Sequence, residues 1–127
     1  MTEENFFNSE TVHNSLLDIV ELQTKVLAFA ENGEFATIEA QQNNLIDLKE
    51  LISKQKNLCF RCTLSNSPEA KKLLTHVLNY FEEYGHTIIR DNPMYVFSEI
   101  ENELDEIEYE LKYYSKHGYY PDSSFED

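Results

Sequence analysis

The residues in this chain best suited to chemistry are two cysteines, four histidines and a dense run of carboxylates. Cys59-Phe60-Arg61-Cys62 is a CxxC pair. A structural zinc site needs four ligands, from a second such pair or from spaced histidines, and neither accompanies this one. A thioredoxin-like role wants the motif at the start of a helix in a βαβ setting. Here it falls on the apolar seam of an expected helix interior, so core cysteines are the preferred reading. Glu10-Thr11-Val12-His13 and Glu83-Tyr84-Gly85-His86 both read ExxH. Di-iron bundles use two such motifs plus a glutamate from each of two other helices, all facing the core. Glu10 and His13 lie at a helix start beside apolar Val12, and Gly85 interrupts the second motif, so the i,i+3 geometry is not expected there. His76 and His117 add no ligand spacing. The chain contains no GxSxG elbow and no glycine-rich phosphate loop. No catalytic, cofactor-binding or metal-binding residue is assigned, no cofactor is expected, and the chain reads as a non-enzyme.

The carboxylates are more telling. Phe97, Ile100, Leu104, Ile107, Leu111 and Tyr114 recur at alternating steps of three and four, one apolar stripe on one helix. Around it sit Glu99, Glu101, Glu103, Asp105, Glu106, Glu108 and Glu110, with no basic residue until Lys112. Like charges at helical neighbour spacing cost about 0.2–0.5 kcal/mol per pair, which amounts to roughly 1–2.5 kcal/mol over the five pairs here. Only Glu108 and Lys112 form a favourable four-apart pair. Packing of the stripe can offset this repulsion, and so can a basic partner. Acid/base catalysis needs carboxyl pKa values driven apart by burial, which a solvated acidic face does not supply. The stretch therefore points to a helical interaction surface. Glu99, Glu103, Glu106 and Glu110 are its candidates for charge recognition, and Tyr109 and Tyr113 are candidate aromatic anchors.

The 127 residues suffice for one domain with a real core, and the hydrophobic fraction of 41% is ordinary for a folded chain. Three glycines and three prolines are too few for a turn-rich all-β protein. No apolar run approaches the roughly 18 residues of a membrane span. The acidic, polar segment Met1 to Asn5 matches neither a secretory signal nor an Arg-rich transit peptide, and two cysteines form no disulfide framework. A reducing cytoplasm is the simplest compartment. A net charge of −14 argues against direct binding to nucleic acid or to an anionic membrane. It permits a basic protein partner or mimicry of a polyanion. Charge is uneven: −6 over residues 1–34, +1 over 35–65, −1 over 66–92 and −8 over 93–127. Lys49, Lys54, Lys56 and Arg61 share the near-neutral segment, and packing of that basic helix beside acidic neighbours is the simplest account.

Four helices are expected. The first is capped at Asn8 or Ser9 and carries Val12, Leu16, Ile19, Val26 and Ala30. Leu22, Leu27 and Phe29 broaden its apolar face, which implies two neighbours. Asn32-Gly33 stops it. Phe7, just before the cap, is placed to staple the first turn. The second runs from about Phe35 or Thr37 to about Thr63, with the seam Ile38, Leu45, Leu48, Ile52, Gln55, Cys59 and Cys62, flanked by Leu51 and Leu58. The short connection makes these two an antiparallel hairpin, a coiled-coil-like arm of roughly 35 Å. Ser67-Pro68-Glu69 starts the third helix, with Ser67 as cap, and Gly85 ends it. Thr87-Ile88-Ile89 has β character but is too short for a strand. Asn92-Pro93 starts the fourth helix, which ends before Gly118. Residues 1–117 thus read as one helical domain, and 118–127 as a flexible acidic and aromatic tail.

Phe6-Phe7-Asn8-Ser9-Glu10 ahead of a long amphipathic helix, Gly33-Glu34-Phe35, Arg61-Cys62-Thr63-Leu64-Ser65 and Tyr84-Gly85-His86-Thr87 carry a further signal in their order and spacing. Over roughly Phe6 to Lys112 the chain resembles a family of small helical proteins of cyanobacteria and of the phages that infect them. The resemblance implies a cytoplasmic bacterial setting. It transfers no activity and no catalytic residue. The Tyr-rich tail and the density of acids on the fourth helix depart from the host-like pattern, as would suit a phage copy that diverts a host protein.

The expected fold is all-α, a long antiparallel helical hairpin with two further helices packed against it. The expected function is that of a non-enzymatic adaptor or regulator of a cellular or host protein with a basic surface. Three alternatives stay open: an acidic mimic of nucleic acid that inhibits a host enzyme, a metal-binding helical bundle, and a homodimer formed through exposed apolar surface.

Overall fold

The structure is a computed structural model that describes residues 9–32 and 36–121. The Phe6–Phe7 staple, residues 33–35 of the first connection and residues 122–127 of the tail lie outside the described residues. Four α-helices follow in order, α1 (Glu10–Asn32), α2 (Ile38–Leu64), α3 (Pro68–Glu83) and α4 (Tyr95–His117), with no strand among the described residues. The fold is all-α and bundle-like.

Each helix begins and ends for an identifiable reason. At the start of α1 the Ser9 hydroxyl accepts a long bond from the Val12 amide at 3.5 Å, and its carbonyl accepts from His13 at 2.9 Å. The Thr37 hydroxyl caps α2 by accepting from the Ala40 amide at 3.1 Å. Pro68 occupies the first turn of α3, where its missing N–H costs nothing. Ser67 stands at the cap position but does not cap. Its hydroxyl donates instead to the Glu69 carboxylate at 2.7 Å, and the Ser65 hydroxyl accepts from the Ser67 amide at 3.0 Å. α4 starts two residues later than the Asn92-Pro93 signal indicates. Tight turns there use the Asn92 and Met94 carbonyls, which accept from Tyr95 and Phe97, before regular helix begins. Gly118 closes α4 in the left-handed region, at φ 81°.

α2 is the axis of the assembly, in contact with α1, α3 and α4. Its two apolar faces serve two cores. Leu45, Ile52 and Cys59, seven residues apart, pack with Phe81 of α3 and with Val96, Phe97, Ile100, Leu104 and Leu111 of α4. Leu51 and Leu58 pack with Val12, Ile19 and Leu22 of α1, joined by half-buried Leu73 of α3. α1 and α2 run antiparallel: Asp18 meets Lys54, and Glu21 and Lys25 line a surface groove with Glu50. The hairpin is not a projecting arm, because α3 and α4 cover the other side of α2.

Two local expectations are corrected. α1 packs on α2, not between two full neighbours, and Leu27 is left 62% exposed. Ile107, placed on the apolar stripe by its spacing, is 42% exposed, since the stripe buries only Phe97, Ile100, Leu104 and Leu111 fully. Thr87-Ile88-Ile89 forms no strand, in keeping with its shortness, and Ile88 tucks against the α3–α4 core.

Phe97 is fully buried and meets Phe81 edge-to-face at 5.4 Å and 87°, tying the end of α3 to the start of α4. Phe97→Ala is expected to cost about 3–5 kcal/mol in urea unfolding. Leu27→Ala, at an exposed site, is expected to change stability by no more than about 0.5 kcal/mol.

Candidate functional site

The basic segment of α2 lies against the acidic flank of α4. Lys49 reaches Asp105 at 2.7 Å and Glu108 at 2.9 Å, and Lys56 reaches Glu101 at 2.9 Å. Lys54, on the other side, reaches Asp18 of α1 at 3.1 Å. Lys112 adds a bond to Glu108 at 3.3 Å within α4. The positive segment that stands out in the sequence is thus used inside the molecule. The carboxylates at 101, 105 and 108 share the α2-facing side of α4, which explains why these three and not their neighbours are paired.

The pairs leave their mark on ionisation. The Asp105 and Glu108 carboxylates hold the Lys49 ammonium above its ordinary range. Lys49, then Lys112, holds the Glu108 carboxyl below its ordinary range. Near the start of α3, the Ser67 hydroxyl and the residue's own amide do the same for Glu69.

Glu99, Glu103, Glu106 and Glu110 have a different fate. At 100° per residue they fall within about 60° of arc, centred about 120° around the helix from its buried stripe. Among the described residues none of the four has an ion-pair or hydrogen-bond partner. They form an uncompensated row about 16 Å long. Glu103, Glu106 and Glu110 are exposed and Glu99 is half-buried.

The row ends in aromatic residues. Tyr113 lies 6.2 Å from Tyr109, 4.2 Å from the His117 ring and 5.8 Å from Tyr119, centroid to centroid. Tyr120 lies 4.6 Å from Tyr114. The left-handed turn at Gly118 sends the chain back so that Tyr119 and Tyr120 sit beside the last turns of α4. A hydrogen bond with Tyr119 raises the Tyr113 phenol above its ordinary range. Tyr109 remains 61% exposed. The structure therefore brings Tyr113 to the end of the acidic row, with Tyr109 on its margin.

One cluster escaped the sequence reading. His86, Glu99 and Glu103 place an imidazole nitrogen and two carboxylate oxygens within 4.8 Å of one another. The ExxH spacing pairs His86 with Glu83. The chain turn at Gly85 turns it instead towards α4. Glu99 and Glu103, four apart on one helix face, were the only sequence signal for this juxtaposition.

The cysteines are core residues. Cys59 and Cys62 are each 1% exposed and free. Burial pushes the Cys59 thiol up to about 12, with Cys62 close by adding to the shift, and burial pushes Cys62 up to about 11. A protonated thiol in a dry core is a poor nucleophile. The open cleft between α2 and α4, about 240 Å³, is lined by Lys49, Glu101, Leu104 and Asp105; Lys49 is paired with Asp105 across it, and Glu101 with Lys56.

No protein-family model matches the chain, and no curated protein and no solved structure matches it. No helix among the described residues is long and apolar enough to cross a membrane.

Two outcomes are expected. At mildly alkaline pH a disulfide-exchange reagent should label the native thiols at least a hundredfold more slowly than the urea-unfolded ones, since burial holds Cys62 at about 11 and Cys59 at about 12. Glu108 binds its proton less readily folded than unfolded, so its stabilising contribution is present above the ordinary glutamate pKa of about 4.3 and is lost as pH falls through its lowered value. Lys49 has the opposite sense: its contribution is complete below the ordinary lysine pKa and is lost as pH rises through its raised value. Lys49→Met should flatten both limbs of the urea midpoint against pH.

Proposed function

We propose that this protein is a non-enzymatic adaptor or regulator that binds a basic protein surface through the outer face of α4. The observation that carries this reading is the division of the α4 carboxylates. Those at 101, 105 and 108 are neutralised by α2, whereas Glu99, Glu103, Glu106 and Glu110 keep their charge in one row. Such a row raises association rates and selects partners by sign, through its field more than through contact area. Tyr113 and Tyr109 at its end supply the kind of aromatic surface that anchors interfaces. The intramolecular ion pairs also support the reading, since they engage the lysines of α2 with the near flank of α4 and with α1 and leave the row to a partner.

The resemblance to helical proteins of cyanobacteria and their phages supports a bacterial cell as the setting and a host protein as the target. Charge and salt separate the adaptor from the nucleic-acid mimic. A mimic occupies a channel built for phosphates, so its binding competes with DNA or RNA and falls steeply with salt.

The test is affinity capture from cyanobacterial lysate at low and high salt, followed by titration of the captured protein. Glu103/Glu106/Glu110→Lys should weaken binding at least tenfold with the far-ultraviolet circular dichroism unchanged. Glu106/Glu110→Lys, which leaves Glu99 and Glu103 in place, should show the same direction of loss. Unaltered binding by both variants would refute the assignment. Displacement of the captured protein by DNA or RNA would replace the adaptor with the mimic.

A further inference from the structure

We propose that His86, Glu99 and Glu103 form a binding site for a divalent first-row transition ion, with zinc as the reference ion. The inference goes beyond the protein-binding reading and stands or falls without it.

The geometry begins at the end of α3. Gly85 adopts φ 93°, in the left-handed region that side-chain-bearing residues rarely enter. With Gly85 in place the helix ends in two reverse bonds. The Gly85 amide donates to the Glu82 carbonyl at 3.1 Å, and the His86 amide donates to the Phe81 carbonyl at 3.0 Å. This is the Schellman arrangement, and its usual hydrophobic contact is also present. The His86 ring meets Phe81 edge-on at 5.9 Å and 89°. Phe81 is itself locked against Phe97 on α4. A glycine turn and an aromatic chain thus fix the imidazole beside α4, two residues beyond the Phe97 contact.

There it faces two carboxylates spaced i,i+4 on that helix. Donors bound to one ion at about 2.0–2.2 Å lie roughly 3–3.5 Å apart. A cluster within 4.8 Å reaches that by small rotations of the glutamate side chains, of which Glu103 is exposed and free to move. The donors are of two kinds and come from two elements. Neither carboxylate has a cation or hydrogen-bond partner among the described residues, whereas Glu101, Asp105 and Glu108 on the α2-facing side of α4 each have one. An ion here would neutralise a like-charge pair that the fold itself leaves uncovered.

One imidazole and two carboxylates suit zinc or manganese better than magnesium, which dehydrates reluctantly and favours oxygen donors. Three protein ligands leave at least one position for water or for a donor from outside the chain.

The experiment is isothermal titration of the full chain, in metal-stripped buffer, with zinc chloride and separately with magnesium chloride. The expected result is one zinc per chain, with magnesium at least tenfold weaker. His86→Ala and Glu99→Gln/Glu103→Gln should each weaken zinc at least tenfold, as loss of even an outer partner typically does. Glu106→Gln/Glu110→Gln removes the same charge further along the same helix and should leave zinc binding within twofold. Circular dichroism of each variant checks that the fold persists, and Glu103→Gln alone, at an exposed position, provides a version with no risk to the core. Absence of zinc binding, equal binding of magnesium, binding that survives His86→Ala, or equal loss in the Glu106/Glu110 variant would each overturn the proposal.

Discussion

α2 must bury two faces at once, and the rest of the structure follows from that constraint. A 27-residue helix with apolar residues at 45, 52 and 59 on one seam and at 51 and 58 on the next cannot satisfy both with a single neighbour. α1 takes one seam and the α3–α4 pair takes the other. α1 therefore keeps an outward flank, with Leu17, Val20 and Leu27 exposed, because the partner that would have covered it is committed to the far side of α2. The sequence expectation of two neighbours for α1 is met only by Leu73 of α3 at the edge of the α1–α2 cluster: the breadth of an apolar face measures how much surface is greasy, not how many helices are within reach.

Charge follows packing. Once α4 lies on the α2 seam, the lysines of α2 have a fixed set of acids within reach, and only those on the near flank can be paired. Surface pairs of this kind contribute little stability individually. Their larger consequence is subtractive. They cancel the near flank of α4 and leave the far flank as a continuous negative row, so the uncovered charge of the helix is defined by what α2 does not neutralise.

The link between α3 and α4 shows how a few backbone atoms decide where chemistry can gather. Without the left-handed glycine, the chain after Glu83 would continue as helix and keep His86 one turn from Glu83. With it, the histidine swings onto another element. Phe81 and Phe97 hold that junction, so the position of His86 depends on core packing as much as on the turn itself. At the other end of α4, Gly118 does a similar thing for Tyr119 and Tyr120 by returning them to the helix they have just left.

The four helices, the hairpin and the burial of Cys59 and Cys62 were legible in the sequence, because periodicity, capping residues and helix-stopping glycines are local signals carried within a few turns. The grouping of Glu99, Glu103, Glu106 and Glu110 on one face was legible for the same reason, since it needs only 3.6 residues per turn. Which acids would be paired was not, nor was the exposure of Ile107. Nor could the sequence place His86 beside Glu99 and Glu103. Those depend on how one helix is rotated and docked against another, and that rotation is set by the sum of many apolar contacts across α2, none of which is encoded in the spacing of the residues it brings together.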